Sequence, residues 1–367
     1  MSNPKKVLIL SESFGSGHTN SAQAIKKGIN LYRPDWDVQI LELGAYIRPT
    51  INLIFQEVYI KTLKFTPKLW GYIYSKGKYR ETKLSYQFIL QKIIYTQILS
   101  ILNLYNPNLI ITTHPFPSIV LSRLKKNGVN RPLHTVLTDY SAHGIWVSSG
   151  IDYYYAPSIE VKYQLMRIGV NENKIFIGGI PTHPNFWNKN NKLIVRKKLN
   201  VKDTTTILIM GGGLGLGIST EYISKIEKDF KNVQLLIVTG HNKNLYNILK
   251  ENYGNKKNII VYDYVNNIDE LMDASDLLIT KPGGITITEA LNKELPMILL
   301  NPIPGQEEDN KDYVIMNKYG IYANSYKEIY DTLISITNNK NRFFNEFKYR
   351  NSNFSRVTIK QIIANSN

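Results

Sequence analysis

Residues 280–310 read TKPGGITITEALNKELPMILLNPIPGQEEDN. The run from Asp276 to Thr280 has the length and composition of a buried strand. It stops at Lys281–Gly284, because a strand does not continue through Pro-Gly-Gly. Ile285 to Asn292 then predicts a helix, and Met297 to Leu300 predicts a second strand. Strand, glycine turn, helix and strand make up the βαβ unit of a parallel α/β sheet.

The same stretch has the chemistry of an anion site. The first turn of a helix exposes free backbone N–H groups, and glycines allow a ligand to approach them closely. Glu289 follows about one turn later, and the loop after the second strand delivers Gln306, Glu307, Asp309 and Asn310. This pattern suits a nucleotide that bears a hydroxyl-rich group. An ordinary βαβ turn beside a polar loop remains the alternative.

Composition narrows the class of protein. The chain has 367 residues, of which 43% are hydrophobic, so roughly two domains with full cores are expected. The absence of cysteine excludes disulfides, thiolate zinc sites and thiol nucleophiles, and it fits a reducing compartment. A buried-type strand begins near Val7, so no signal peptide is expected. The net charge of +16 points to nucleic acid, anionic lipid or a phosphorylated substrate as partner, or to a lysine-rich solvated surface.

The first half of the chain alternates strands and helices. Lys6 to Ser11 predicts a strand, which a glycine-rich turn connects to a helix from about Thr19 to Leu31. Asn20 stands where the dinucleotide-binding fingerprint has its third glycine, and no Walker A sequence occurs. Asp139 and His143 follow a later strand, Leu133 to Thr138. They are candidate site residues because parallel sheets bind ligands beyond the carboxyl ends of their strands.

Residues 51–80 depart from this alternation and mix aromatic and apolar side chains with six Lys or Arg residues. Such a mixture is typical of a segment that lies at a membrane interface, where each basic residue contributes about 1 kcal/mol near anionic lipid. A core-packing helix pair with a solvated basic face is an equally good interpretation. The candidate membrane or acceptor residues are Phe55, Tyr59, Phe65, Lys68, Trp70 and Tyr72.

A second alternating half begins after a polar, Asn- and Lys-rich segment, Thr182 to Thr205. Ile207 to Met210 runs into Gly211–Gly217, which has five glycines in seven residues, and a later strand runs into Gly240. Such a glycine turn suits close backbone approach to a diphosphate. The predicted domains are an N-terminal acceptor and membrane-binding lobe (1–181), a linker and hinge (182–205), a nucleotide-binding lobe (206–340) and a helical tail (341–367). Helices from Tyr326 to Ile363 are expected to close the second lobe.

Five segments together resemble glycosyltransferase family 28, and specifically its diacylglycerol glycosyltransferases. They are SFGSGH (13–18), VLTDYSAHGIWV (136–147), MGGGLGLG (210–217), TKPGGITITEA (280–290) and NPIPGQEEDN (301–310). The resemblance implies an α/β GT-B fold, with two Rossmann-like lobes, parallel sheets and a cleft between them. It implies an inverting mechanism without a metal or cofactor. A UDP-sugar is expected in the second lobe, and diacylglycerol is expected to enter through the first.

Residue roles follow from the same resemblance. Phosphates are assigned to Gly283, Gly284 and Thr286, ribose hydroxyls to Glu289, and sugar hydroxyls to Gln306 and Glu307, with Asn310 nearby. The diphosphate is assigned to the turn with Gly212 and Gly213, and the uracil to backbone around Val265. Gly240, Gly15 and Gly17 complete the donor set, and His18 is expected to face the anomeric carbon.

Inversion needs a base for the acceptor hydroxyl, and His18, with an unperturbed pKa near 6.5, is the first candidate. Asp139 is expected to assist it, although the reverse assignment is possible. The other histidines in polar segments, His114, His143, His183 and His241, are expected to be structural or peripheral. Asp35-Trp36-Asp37 matches the metal-binding DxD pattern, but it follows Pro34 in a turn away from both glycine turns, so a solvated turn is expected.

The sequence leaves several alternative functions open. The N-acetylglucosaminyltransferase of peptidoglycan lipid intermediates and a nucleotide-sugar epimerase share the fold. A nucleic-acid-binding protein would explain the charge, but the chain has no RNP, KH or helix-turn-helix signature. Our reading is therefore a peripheral enzyme at the cytoplasmic face of the membrane. It would use a UDP-hexose, with glucose favoured over galactose, bind an anionic lipid surface and bind no nucleic acid.

Overall fold

The computed structural model describes residues 4–13, 15–47, 97–338 and 354–366, and also 49–50, 53, 57–58, 62, 66, 71–72, 74–76 and 347. The chain divides into two compact units. The first unit comprises Met1–Pro184, Ile303–Asp309 and Asn353–Asn367, and the second comprises Asn185–Pro302 and Asn310–Ser352. The change of unit at residue 184 falls inside the segment predicted to link the lobes.

The first unit is built on a parallel sheet, with six strands within the described residues in the order β2-β1-β3-β4-β5-β6. Apolar runs such as Val7–Leu10 are buried because helices cover both faces of a parallel sheet, so these strands show no polar alternation. The strands are β1 (Lys6–Ser11), β2 (Asp37–Glu42), β3 (Leu109–Thr112), β4 (Leu133–Val136), β5 (Tyr153–Ala156) and β6 (Ile175–Ile177).

Helices lie between these strands, and each helix that directly follows a strand begins near the carboxyl end of that strand. They are α1 (Ser16–Tyr32), α2 (Leu43–Ile47), α3 (Ile98–Tyr105), α4 (Pro115–Lys126) and α5 (Ile159–Arg167). Because β1 lies between β2 and β3, the strand order reverses beside β1. Such a reversal opens a crevice at the carboxyl ends of the two strands, where ligands bind in this class of sheet.

The second unit has its own parallel sheet, with six strands among the residues described, in the order β12-β11-β10-β7-β8-β9. This is the strand order of a dinucleotide-binding Rossmann sheet, and it reverses between β7 and β10. The strands are β7 (Thr206–Met210), β8 (Gln234–Val238), β9 (Ile259–Tyr262), β10 (Leu277–Thr280), β11 (Met297–Leu299) and β12 (Gly320–Tyr322). The two turns predicted to bind the diphosphate, after β7 and β10, therefore follow neighbouring strands at the reversal.

The helices of this half are α6 (Lys192–Lys198), α7 (Thr220–Asp229), α8 (Lys243–Tyr253), α9 (Ile268–Ala274), α10 (Gly284–Asn292), α11 (Gln306–Met316) and α12 (Tyr326–Asn338). Helix α6 lies inside the predicted linker. Its buried Arg196 donates to Asp276 Oδ2 at 2.8 Å, and the same oxygen accepts the Thr206 amide at 2.9 Å. A buried carboxylate satisfied in this way ties α6 to the amino end of the sheet.

Two sequence expectations need correction. Gln306–Asn310 form the start of α11, whereas the sequence predicted a polar loop there. The last helix, α13 (Phe354–Ala364), belongs to the first unit and does not close the second. It packs where two glycines leave room: a Cβ on Gly28 would lie 2.9 Å from Ile359, and one on Gly178 would lie 2.0 Å from the Thr358 hydroxyl.

Candidate active site

The glycine turn after β7 is locked to the turn after β8. Gly215 has φ +61° and Gly240 has φ +58°, a left-handed conformation that favours glycine. A Cβ on Gly215 would lie 2.1 Å from the Thr239 carbonyl oxygen, and one on Gly240 would lie 2.5 Å from the Gly213 oxygen. The His241 amide donates to that Gly213 oxygen at 2.9 Å. The predicted residues Gly212, Gly213 and Gly240 therefore belong to one rigid backbone surface.

The turn after β10 begins α10 with Gly283 at the N-cap, and no described side chain caps it. Space is open around Gly283: a Cβ there would meet only the Thr286 hydroxyl, at 3.8 Å. The amides at this helix start have the arrangement that binds phosphate. Thr286, two residues into the helix, is buried beside them. The structure thus gathers Gly283, Gly284 and Thr286 at one helix terminus.

Lys281 is a residue that the sequence reasoning did not select. Its side chain crosses the neighbouring glycine turn: Cε lies 3.6 Å from where a Cβ on Gly212 would be, and Cβ lies 3.9 Å from that of Gly217. The structure therefore places the Lys281 side chain against the glycine turn after β7 and directly before the turn after β10. Its position in the sequence, directly after a predicted strand and directly before Pro-Gly-Gly, could have indicated that its side chain lies near the phosphate site.

Glu289 lies on α10, half-buried, one turn and a half from the helix start. Burial, with a smaller contribution from the nearby carboxylate of Asp269, raises the pKa of Glu289 to about 8. The carboxyl group is therefore largely protonated at neutral pH, and a neutral carboxyl both donates to and accepts from a hydroxyl. Val265, assigned to the nucleobase, lies between β9 and α9, beside the Tyr264 ring that stacks on His241 at 4.3 Å.

The start of α11 holds the residues assigned to the sugar. Glu307 is buried, and its Oε2 accepts the Ile303 amide at 3.0 Å. Asn310 is fully buried and donates to the Pro282 carbonyl oxygen at 3.1 Å, which ties α11 to the turn after β10. Gln306 and Glu307 belong to the first unit, and Asn310 belongs to the second.

His18 is held by residues from two other strands of the first sheet. Its Nδ1 lies 2.8 Å from the carbonyl oxygen of Thr113, after β3, and 2.9 Å from the hydroxyl of Thr138, after β4. A carbonyl oxygen only accepts hydrogen bonds, so Nδ1 carries the proton and Nε2 is left with its lone pair. The Thr113 hydroxyl donates back to the His18 carbonyl at 3.0 Å. This arrangement fixes the tautomer that a general base requires.

The electrostatic surroundings of His18 favour the same state. Burial lowers the pKa of His18, while the Asp139 carboxylate and the Thr113 carbonyl partly oppose that shift. The rings of His114 and Trp146 approach His18 at centroid distances of 4.6 and 6.1 Å. The imidazole is therefore neutral near pH 7. The structure brings His18 and Asp139 together and leaves both partly accessible.

The remaining histidines of the polar segments have structural contacts. His114 caps α4 by accepting the Phe116 amide at 3.2 Å, and His143 caps a short 3-10 helix by accepting the Ile145 amide at 3.0 Å. His183 lies 2.8 Å from the Lys27 ammonium, and His241 stacks on Tyr264. These contacts account for the geometry of all four.

The DxD-like segment consists of the end of the turn between α1 and β2 and the first residue of β2, at the amino end of the sheet. Asp35 accepts two hydrogen bonds from the Arg33 guanidinium, at 2.9 and 2.6 Å. Trp36 is buried beneath the cations of Lys5 and Arg33. Across the described ranges, no three His, Asp or Glu side chains cluster as metal ligands would.

Most of the aromatic and basic segment falls outside the described residues, including Phe55, Tyr59, Phe65, Lys68 and Trp70. Tyr72 is described: it is 56% exposed, and the Lys76 ammonium lies 4.5 Å from its ring centroid. Leu53 and Val58 are likewise exposed. In the part of the chain that the structure describes, the helices are too short or too polar to cross a bilayer.

Sequence families match both halves of the chain. The model of monogalactosyldiacylglycerol (MGDG) synthase matches residues 18–182, and that of the glycosyltransferase family 28 C-terminal domain matches residues 206–362. The processive diacylglycerol beta-glucosyltransferase of Staphylococcus haemolyticus (strain JCSC1435) is 31% identical over 344 residues, which are 92% of this chain and 86% of that one. This chain belongs to the diacylglycerol glycosyltransferase family. The resemblance predicted from the five motifs is confirmed.

Solved structures with the same fold are less similar in sequence to this chain than the diacylglycerol beta-glucosyltransferase is. MurG of Acinetobacter baumannii superposes with a TM-score of 0.62 at 13% identity, over 98% of this chain and 100% of that one. The UDP-GlcNAc 2-epimerase of Neisseria meningitidis, bound to UDP-GlcNAc, superposes with a TM-score of 0.59 at 13% identity, over 98% of both chains. The predicted GT-B fold is confirmed.

Three residues of this family member were absent from the sequence prediction: Thr113, Thr138 and Lys281. Thr113 and Thr138 lie 95 and 120 residues from His18 in the chain. A threonine at a strand end has many structural uses, so the pattern contains no signal that it orients a distant histidine.

Proposed function

We propose that this protein is an inverting glycosyltransferase that moves a hexose, glucose by preference, from a UDP-sugar to the hydroxyl group of 1,2-diacylglycerol. The observation that supports the acceptor is the likeness to a diacylglycerol beta-glucosyltransferase along 92% of the chain. The site geometry supports the chemistry, because a histidine in the base tautomer and two phosphate-binding turns are what a metal-independent inverting transfer requires.

In this proposal the donor is held by backbone and by Lys281. The diphosphate takes up negative charge as it leaves, and stabilisation comes from the amides at the start of α10, the glycine turn and the Lys281 ammonium. Glu289 holds the ribose, the backbone at Val265 holds the uracil, and Gln306 and Glu307 hold the sugar. No metal enters this scheme.

The base in the proposal is Nε2 of His18. The acceptor oxygen attacks the anomeric carbon while Nε2 takes the hydroxyl proton, and the bond from that carbon to UDP breaks. Asp139 stabilises the imidazolium that forms. The Thr113 carbonyl holds the ring while its charge changes, since Nδ1 donates to that oxygen in both states.

The acceptor lies in a bilayer, so we propose peripheral binding at the cytoplasmic face, through the aromatic and basic residues of segment 51–80. The exposed Tyr72, Leu53 and Val58 support this proposal because apolar side chains at the headgroup level gain burial. The net charge of +16 favours anionic lipid.

The decisive experiment is incubation of the protein with diacylglycerol vesicles and radiolabelled UDP-glucose, UDP-galactose or UDP-N-acetylglucosamine, followed by separation of the lipid products. Transfer from UDP-glucose, in buffer with and without excess chelator, is the expected result. Transfer to no lipid from any donor would overturn the proposal, and loss of all transfer in chelator would restore a metal to the mechanism.

A further inference from the structure

The 303–309 segment, which includes Gln306 and Glu307, is braced by one tyrosine from the aromatic and basic region. The Tyr74 hydroxyl donates to Asp309 Oδ2 at 3.3 Å. Its ring lies directly over Gly305, where a Cβ would come within 3.0 Å of Tyr74 Cγ. Gly305 has φ +103°, so glycine serves both the turn and the close approach of the ring.

A second contact joins the same two stretches of chain. A Cβ on Gly71 would lie 2.9 Å from Pro304 Cβ, so Gly71 lies against Pro304 just as Tyr74 lies against Gly305. Within the 303–309 segment, Glu307 accepts the Ile303 amide and Glu308 accepts the Gly305 amide at 3.1 Å. A displacement at Gly305 or Asp309 would therefore reach Gln306 and Glu307 directly.

The opposite side of Tyr74 contacts the loop that includes Asp139. His143 Nδ1 accepts the Ile145 amide, so Nε2 carries the proton and donates it to the Tyr74 carbonyl oxygen at 2.8 Å. The His143 and Tyr74 rings lie 4.5 Å apart. Burial raises the pKa of Tyr74, and the carboxylates of Asp309 and Asp139 raise it further, so the phenol stays protonated and remains a donor.

We propose that Tyr74 is a positioning residue for the donor sugar. Tyr74 contacts both the 303–309 segment and the loop that includes Asp139, and it thereby fixes the position of that segment relative to the loop. This inference rests on the proposed function, in which Gln306 and Glu307 bind the hexose. Tyr74 then sets the affinity for the sugar and leaves the affinity for the nucleotide unchanged. The same tyrosine connects the region expected at the lipid surface to the residues that hold the sugar.

The test is Tyr74→Phe, which keeps the ring over Gly305 and against His143 and removes the hydroxyl group that donates to Asp309 and also contacts the Ser141 side chain. We expect affinity for UDP-glucose to fall about tenfold, since a hydrogen bond to a charged group is lost, while affinity for UDP stays the same. Calorimetric titration of the full chain with each ligand measures both. The matched control is Tyr163→Phe on α5, whose ring is 56% exposed, and both affinities should equal those of the wild type.

A general loss of structure would weaken UDP and UDP-glucose together, and that result would overturn the positioning role. Wild-type affinity for both ligands in Tyr74→Phe would overturn it as well. The pair is tested further with Asp309→Asn: in combination with Tyr74→Phe, its effect on UDP-glucose affinity should be smaller than the sum of the two single effects. Additive effects would contradict the contact as the cause.

Failure of the two proposals is distinguishable. A wild-type chain that binds neither UDP nor UDP-glucose removes the donor site itself, and the role of Tyr74 with it. Suppose instead that the wild-type chain binds UDP-glucose more tightly than UDP, and that the ratio of the two affinities is the same in Tyr74→Phe. That result would leave the transferase proposal intact and refute only the role of Tyr74.

Discussion

In the proposed mechanism His18 acts through Nε2, because Nδ1 already has hydrogen-bond partners. Thr113 accepts the Nδ1 proton, Thr138 lies beside the same atom, and the ring is half-buried near Asp139. Thr113 follows β3, Thr138 and Asp139 follow β4, and His18 itself follows β1. The chemistry assigned to a single residue thus depends on the meeting of three loops.

Replacement of this base separates catalysis from binding. In His18→Ala we expect turnover to fall by about 10²- to 10⁴-fold, the usual contribution of general base catalysis, while UDP-glucose affinity stays near that of the wild type. Single-turnover transfer and calorimetric titration measure the two quantities. His183→Ala, a histidine at the Lys27 contact, is the control. Near-normal turnover in His18→Ala would assign the base role to Asp139.

Asp139 is tested through the pH profile. The neutral imidazole is the active form in the proposed mechanism, and burial lowers the pKa of His18, so kcat/KM should fall on the acid side with a midpoint below 6.5. The Asp139 carboxylate raises this pKa, so Asp139→Asn should move the acid limb to lower pH while turnover at pH 8 is retained in part. Complete loss of turnover at every pH would instead indicate that Asp139 is the base.

Glu289 is expected to act on binding alone. Glu289→Ala removes the carboxyl group assigned to the ribose, and we expect UDP affinity to fall about tenfold, the range for one lost hydrogen-bonding partner. UDP and uracil are titrated in parallel, since uracil has no ribose and should bind both proteins equally. Unchanged UDP affinity would contradict the assignment.

At the scale of elements, most of the candidate functional loops follow the strands that flank the reversal of strand order in each sheet, or the strands next to those. In the first sheet the reversal lies beside β1, and in the second it lies between β7 and β10. Both crevices open at the carboxyl ends of the strands, where helix starts and glycine turns collect. The position of the site residues is therefore a property of strand order more than of any one loop.

A substitution in the glycine turn after β7 tests whether the close backbone packing of this turn is required for stability and for UDP binding. A methyl group at Gly215 would overlap the Thr239 carbonyl, and the alanine would have to adopt a φ of +61°. Gly215→Ala should therefore lower the free energy of unfolding by about 2 kcal/mol or more and weaken UDP binding. Gly169→Ala is the matched control. It also has a positive φ (+100°), but a Cβ there would meet no atom within 4 Å, so only the backbone term is expected, about 1 kcal/mol. Denaturant titration compares them, and equal losses would contradict steric overlap at Gly215.

At the scale of the whole molecule, the basic excess matches the anionic membrane surface in which the proposed acceptor, an uncharged lipid, would lie. A charge of +16 attracts any polyanion at long range, and its contribution weakens as salt screens it. The aromatic residues interleaved with lysines are expected to add a free energy of burial at the membrane interface. A DNA duplex offers no comparable apolar region in which these side chains could be buried.

Cosedimentation with vesicles should therefore show binding to vesicles that contain phosphatidylglycerol, weaker binding to pure phosphatidylcholine, and a loss of binding in high salt. A DNA duplex titrated under the same conditions is the control and should bind weakly. Tighter binding to DNA than to the anionic vesicles would favour the nucleic-acid alternative.

Local pattern determined much of this protein. Buried parallel strands read as apolar runs and glycine turns punctuate them, so the strand bounds, the start of α10 and the turn at Gly211–Gly217 were predictable within one or two residues. The strand β12 (Gly320–Tyr322) was missed, because it begins with a glycine and contains a single aliphatic residue, so it has no apolar run. Family motifs added the residue roles, which remain predictions until the variants are measured.

Tertiary structure decided what no local pattern records. The tautomer of His18 depends on Thr113 and Thr138, about a hundred residues away, and the packing of α13 against Gly28 and Gly178 joins the end of the chain to its first unit. The stretch 280–310 is itself divided, with its first phosphate turn in the second unit and Gln306 and Glu307 in the first. The physical reason is that strand and turn formation depends on neighbours in sequence. Orientation of a side chain depends on whichever atoms the fold brings next to it.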